Sequence, residues 1–234
     1  MSPRNHTVTV QEGYAIWASS YDHEKNPLIA AEQPQVEAML QTLPRPSRVL
    51  DLASGTGRYA LHFARQGAAV WAIDQSPEML AVAREKASSA NLEITFLQGG
   101  LEDGLPFPAD HFDLAVCALA LSHVPDLHQV FSECNRVLRP GGYLLITDFH
   151  PQAMVNGWDP TVFRGEDAYI LPHHHQSTSD YTDAMEQNSF QIIQIVESLV
   201  RDQPPGTIHA TDLDAFLEAH GDWPFCLIIL ARRQ

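Results

Sequence analysis

Basic residues are scarce in this sequence: 14 Lys and Arg stand against 29 Asp and Glu, a net charge of -15. Nucleic-acid affinity rests on Lys and Arg neutralising phosphates, so a surface of this sign disfavours a phosphate backbone, and no nucleic-acid partner is expected. The few cations gather only in pairs: Arg84 with Lys86, Arg136 with Arg139, and Arg232 with Arg233. Long apolar runs are missing as well. Nowhere does the chain offer the ~18 unbroken apolar residues of a membrane span, and the amino-terminal MSPRNHTVTVQEGY has no apolar core. The expectation is no signal peptide, no membrane partner and a cytoplasmic location. Cysteine is sparse and unpaired in spacing. Cys117, Cys134 and Cys226 sit in apolar surroundings without a Cys-x-x-Cys pair, which reads as reduced core thiols. No internal repeat is visible.

What is present suits one large domain spanning 1–234, with 44% hydrophobic and 18% charged residues. Apolar runs at 48–53 (RVLDLA), 69–74 (AVWAID), 94–98 (ITFLQ), 112–118 (FDLAVCA) and 143–149 (YLLITDF) read as strands buried on both faces. Helices alternate with them. One runs from about Arg58 to a terminating Gly67; another has Ser76 as N-cap with Pro77 behind it; a third follows Asp126 and ends before Arg139-Pro-Gly-Gly142. This alternation predicts βαβ units in a parallel, doubly wound, Rossmann-like α/β sheet. Before it, a polar start gives way to a mainly helical stretch from Tyr14 to about Leu43, interrupted around Lys25-Asn26-Pro27. After it, 154–181 is rich in Pro, Gly, His and aromatics and reads as a cap over a pocket at the carboxyl edge of the sheet. A helix near 179–187, strands at 191–200 and 224–232, and a short helix near 211–219 complete the expected elements.

Asp51-Leu-Ala-Ser-Gly-Thr-Gly57 separates the first of these strands from its helix. Gly55-x-Gly57-x-x-Ala60 matches a dinucleotide fingerprint, in which a pyrophosphate rests on the helix N-terminus. Asp51 argues against that anion, since a carboxylate there repels a pyrophosphate and favours an ammonium or sulfonium. The glycines then serve close backbone approach. Asp74 ends the next strand, 19 residues after Gly55. A carboxylate so placed accepts hydrogen bonds from both ribose hydroxyls, which points to a nucleoside ligand.

With these residues in view, VLDLASGTGRYALHFA (49–64) resembles the first motif of the class I S-adenosylmethionine-dependent methyltransferases of small-molecule type. AIDQSPEML (72–80) resembles the second, and 99–126 and 132–151 resemble the two blocks that follow. The resemblance covers about 14–151. It implies a seven-stranded sheet in order 3-2-1-4-5-7-6 with the last strand antiparallel, and S-adenosyl-L-methionine as cofactor. It also implies a division into a helical segment over the cofactor (1–46), a binding core (47–150), a substrate cap (151–185) and a closing helix and strand pair (186–234). Ala53 and Gly55 would meet the methionine end, as would Ala118 and Leu119 after the fourth strand. Asp74 and Gln75 would serve the ribose, and Met79 would lie near the adenine. Tyr14 and Tyr21, from a YxxWAxxYD-like entry segment, would also reach the methionyl end, with Trp17 packing in its helix. Family members usually carry Asp where this chain has Gly100, and that Asp bonds the adenine amino group. Either Glu102 or the backbone at Leu101 with a water must replace it.

Methyl transfer from a sulfonium is an in-line displacement, for which positioning and water exclusion supply much of the catalysis. A base matters only where the nucleophile starts protonated. The candidates are His150 after the fifth strand and His123 after the fourth. His173-His174-His175 offers no converging ligand set, so no metal is expected. Phe149, Trp158, Phe163 and Tyr169 suggest an apolar or aromatic small-molecule acceptor, or else only seal the core. The chain is expected to act as a monomer or homodimer. A catalytically silent S-adenosylmethionine-binding regulator shares every one of these features. A nicotinamide-dependent oxidoreductase shares the loop spacing alone.

Overall fold

Capping chemistry sets the ends of most helices in the chain, whose computed structural model describes residues 3–24, 26–157, 160–202 and 213–234, with backbone alone at 213–216. A short strand β1 (Arg4–Thr7) precedes helices α1 (Val10–Trp17) and α2 (Pro27–Gln41). Thr9 and Glu12 form a capping box on α1, and Asn26 caps α2 ahead of Pro27. The alternating region follows as β2 (Arg48–Leu52), α3 (Arg58–Arg65), β3 (Ala69–Asp74), α4 (Pro77–Ser89), β4 (Ile94–Gln98), β5 (Phe112–Ala118), α5 (Leu127–Val137) and β6 (Leu138–Phe149). Ser76 accepts from the Met79 N–H and Asp126 from the Gln129 N–H, so both helices start where their cap residues direct. The chain then forms α6 (Pro151–Val155), β7 (Thr161–Arg164), β8 (Asp167–Ile170), α7 (Thr178–Gln187), β9 (Phe190–Leu199), α8 (Leu213–His220) and β10 (Pro224–Arg233).

The large sheet has the order β4-β3-β2-β5-β6-β10-β9, with β10 antiparallel to both of its neighbours. Counting β2 as its first strand, this is the 3-2-1-4-5-7-6 order with the last strand reversed. Successive residues of β2 point to opposite faces and both faces are covered: Leu50 and Leu52 join one apolar cluster with Phe112 and Phe131, while Val49 joins another with Phe63 and Leu114. Burial on both sides is why these strands read as unbroken apolar runs. The carboxyl ends of the parallel strands share one edge, and the loops that leave it build the site.

Two stretches differ from their sequence reading. The polar start contains a strand: β1 pairs in parallel with β8, which pairs in antiparallel with β7, making a second, three-stranded sheet. Neither β1 nor its partners carry an apolar run. The four residues of β1 are all exposed, and ion pairs from Arg4 and His6 to Asp167 support the pairing. The region 154–181 is therefore ordered by a partner far away in sequence, 163 positions at the Arg4–Asp167 pair, and local pattern could not show it. Arg164 adds a second tie, bonding Glu24 at 2.9 Å, Ser20 Oγ at 2.5 Å and the Ile16 carbonyl at 3.3 Å. Trp158 lies outside the described residues.

Candidate functional site

Where β2 ends, the chain turns through three residues in the left-handed region: Ala53 at φ 50°, Gly55 at φ 52° and Gly57 at φ 81°. Gly57 is also steric, since a Cβ there would stand 3.1 Å from the Ala83 Cβ. At Gly55 nothing lies within 4 Å of where a Cβ would be, so its backbone faces open space. Asp74, at the end of β3, holds this turn in place. Its Oδ2 accepts the Gly55 N–H at 2.7 Å and its Oδ1 accepts the Ser76 N–H at 2.8 Å. Burial raises its pKa against the pull of those two donors.

These residues form one wall of a cavity at the carboxyl edge of the sheet. Of the residues singled out from sequence, Tyr14, Tyr21, Ala53, Gly55, Asp74, Gln75, Met79, Gly100, Leu101, Glu102, Ala118, Leu119 and His123 all line it. Val10, Gly99, Ala120 and Val124 line it too and carry no chemical signal in sequence beyond adjacency. Tyr14 and Tyr21 line it from the N-terminal segment, and burial pushes the Tyr21 phenol up to about 12. Asp22 fastens that segment to the loop, accepting the Thr56 hydroxyl at 2.7 Å and pairing with Lys86 at 2.7 Å. Gly100 donates its N–H to Asp103 Oδ2 at 2.9 Å, while the exposed Glu102 presents its carbonyl to Gln129.

Asp51, Gly57 and His150 do not reach the cavity wall. Gly57 offers no side chain to cap α3, and Asp51 caps it from beneath instead, its Oδ2 accepting the Ala60 N–H at 2.8 Å. Desolvation pushes this carboxyl up to about 7. Asp51 thereby has a local role: the acid completes a helix start that a glycine leaves open. His150 is the N-cap of α6, where its Nδ1 accepts the Gln152 N–H at 3.1 Å and its Nε2 faces Glu197 at 2.9 Å. Both ring nitrogens are committed away from the cavity. The cap aromatics also lie elsewhere: Tyr169 stacks on His6, Phe149 packs against Phe225, and Phe163 is 61% exposed.

Asp148, unread in sequence, is a hub behind the site. It is 1% exposed and accepts from the Ser122 N–H at 2.5 Å, the Tyr181 hydroxyl at 3.0 Å and the Phe149 N–H at 2.8 Å. Its position as a third acid near a strand's carboxyl end, like Asp51 and Asp74, was the available signal. Through Ser122 it fixes the 3-10 turn Leu121–His123 that follows β5. Among the described residues no three His, Cys, Asp or Glu side chains converge as a metal site would require, and no helix is long and apolar enough to cross a membrane. A larger groove of about 700 Å³ lies at the opposite end of the sheet, by Leu40, Phe63, Asp113 and Tyr143. It receives none of the residues above.

The comparisons with known proteins fall on this same region. Residues 50–146 match the family model described as a methyltransferase domain. The demethylmenaquinone methyltransferase of Thermus thermophilus is 42% identical over 108 residues, 45% of this chain and 49% of that protein. The chain spans about half the length of the curated relatives it matches. The crystal structure of an S-adenosylmethionine-dependent methyltransferase from Mesorhizobium loti superposes with a TM-score of 0.68 at 28% identity, over 87% of this chain and 98% of that one. The [4+2]-cyclase SpnF shares the fold at TM-score 0.63 and 20% identity, over 87% of this chain and 81% of its own.

Proposed function

We propose that this chain is a class I S-adenosylmethionine-dependent methyltransferase, with S-adenosyl-L-methionine as its cofactor, and that it methylates a small, apolar or aromatic metabolite. The observation that carries this reading is Asp74. Each of its carboxylate oxygens takes one backbone N–H and keeps a lone pair, so both stay able to accept a ribose hydroxyl at the cavity wall. Beside it, the bare backbone of Gly55 leaves the room a Cβ would fill. The residues present therefore fit an adenosyl cofactor. Asp74 would hold its ribose, Met79 and Leu101 would flank its base, and Ala53, Leu119, Tyr14 and Tyr21 would enclose its methionyl end. When bound, S-adenosylmethionine supplies an electrophilic methyl whose bond electrons leave with sulfur, so an acceptor R–OH yields R–OCH3, S-adenosylhomocysteine and a proton. The protein's part is to hold the acceptor in line with that methyl and exclude water, a part that Tyr14 and Tyr21 at the cavity wall would serve.

A nicotinamide dinucleotide needs free N–H donors at the start of α3 for its pyrophosphate. Here the Ala60 N–H is already taken by Asp51, which leaves one donor fewer for the phosphates. S-adenosylmethionine and S-adenosylhomocysteine should raise the melting temperature, because a ligand that binds only the folded state stabilises it by mass action. NAD should leave it unchanged. A shift with NAD and none with either adenosyl ligand would sink the reading. Transfer of labelled methyl to pooled metabolites then separates an enzyme from a silent cofactor-binding protein.

A further inference from the structure

His123 is held at the cavity in a single tautomer. Its Nδ1 lies 2.7 Å from the Pro172 carbonyl oxygen, which can only accept, so the ring proton sits on Nδ1 and Nε2 carries a lone pair. The Tyr14 hydroxyl stands 3.2 Å from Nε2 and is therefore the donor to it. The two elements that hold the imidazole are distant in sequence, one in the cap and one on α1, and Asp148 braces the turn between them through Ser122. Around this pair the wall is apolar, with Val10, Ala120 and Val124.

We propose that the Tyr14–His123 contact marks a hydroxyl subsite, and that the methyl acceptor is a phenol or enol whose hydroxyl replaces Tyr14 as donor to His123 Nε2. This rests on the methyltransferase reading of the same cavity. Three features select that chemistry. Tyr14 itself shows that an aromatic hydroxyl fits against Nε2. An ammonium would bring three donors to a wall that offers one acceptor at this point. Burial holds the Tyr14 phenol well above its ordinary pKa, and desolvation, opposed by the Pro172 hydrogen bond, holds His123 below its own, so the resting pair is neutral. A neutral acceptor exchanges into such a pair without burying new charge. In the reaction the acceptor O–H bond breaks, the proton forms an N–H bond at Nε2, and the electron pair stays on the acceptor oxygen as the nucleophile. The imidazolium is held by Pro172 and gives its proton to water after product leaves. His123 is then a catalytic base, while the Pro172 carbonyl is a positioning group.

The test compares 2-naphthol with 2-methylnaphthalene, equal in shape but with and without the hydroxyl, by calorimetry on protein saturated with S-adenosylhomocysteine. In Tyr14→Phe 2-naphthol should bind at least about fivefold more tightly than 2-methylnaphthalene, the worth of one buried hydrogen bond, and in the parent by less, because Tyr14 competes for Nε2. His123→Phe, checked for folding by its melt, should erase that preference. Tyr14→Phe should raise 2-naphthol affinity, because it removes the competing donor, and leave 2-methylnaphthalene unchanged. Nitrogen-15 spectra should show His123 Nε2 unprotonated at neutral pH and shifted only by 2-naphthol. Equal affinities in Tyr14→Phe, a protonated Nε2, or a loss of 2-naphthol affinity in Tyr14→Phe overturns the exchange while the methyltransferase reading stands. Failure of S-adenosylhomocysteine to bind overturns both.

Discussion

Asp74 gives half of its accepting capacity to the backbone and presents the other half to the cavity, so it ties the loop to whatever the loop binds. Asp74→Ala should weaken S-adenosylmethionine binding at least about tenfold, since hydrogen bonds to a charged acceptor are strong. Calorimetry on a variant with an unchanged circular dichroism spectrum checks it. Unchanged affinity would make Asp74 a loop brace only. Asp51 is the contrasting acid. Its carboxyl is pushed up to about 7 by burial, from an ordinary carboxylate value when unfolded. The folded state thus binds its proton more tightly, and stability falls as pH rises between those two values. Asp51→Asn keeps an acceptor for the Ala60 N–H and sheds the buried charge. Its melting temperature relative to the parent should therefore climb from about pH 4 to about pH 8, the range that spans the unfolded and folded values. A constant difference across that range would refute the account. Both acids were visible in the sequence at strand ends. Their division of labour was not, because it depends on which N–H groups the folded loop leaves nearby.

At the level of elements, α1 packs against the segment 154–181. Gly13 on α1 packs so closely that an added Cβ would stand 2.6 Å from Leu171 Cγ. The parallel pairing of β1 with β8 and the Arg164 clamp hold the same two segments together. Gly13→Val should part them and carry Tyr14 away from the cavity. Overpacking of this kind costs about 1–3 kcal/mol, which predicts roughly tenfold weaker S-adenosylhomocysteine binding. The melt of the large sheet should move little, since its two clusters do not include Gly13. An affinity equal to the parent's would show that α1 does not govern the site. Of the N-terminal helices, α2 was readable from its apolar positions and the interruption before Pro27, whereas α1 starts at Val10, ahead of the expected Tyr14. The β1–β8–β7 sheet was not readable, because short exposed strands owe their existence to a partner and not to a pattern.

Across the whole molecule, a net charge of -15 is spread over 234 residues. Like charges repel across a folded surface, and salt screens them over ~8–10 Å at physiological strength. The melting temperature of the protein alone should therefore rise from low salt to about 0.15 M sodium chloride. A fall would mean that ion pairs such as Arg164–Glu24 and Lys86–Asp22 outweigh the repulsion. The sequence by itself determined the α/β alternation, the helix starts within it and the glycine turn with Asp74 beside it, because these follow from local periodicity and capping. By resemblance it also indicated the strand order and most of the cavity wall. Only the tertiary structure decided that His150 turns away to Glu197, that Asp51 caps a helix, and that Tyr14 and Pro172 meet on His123. Those outcomes depend on groups far apart in the chain, and a side chain's orientation is set by the nearest partner in space.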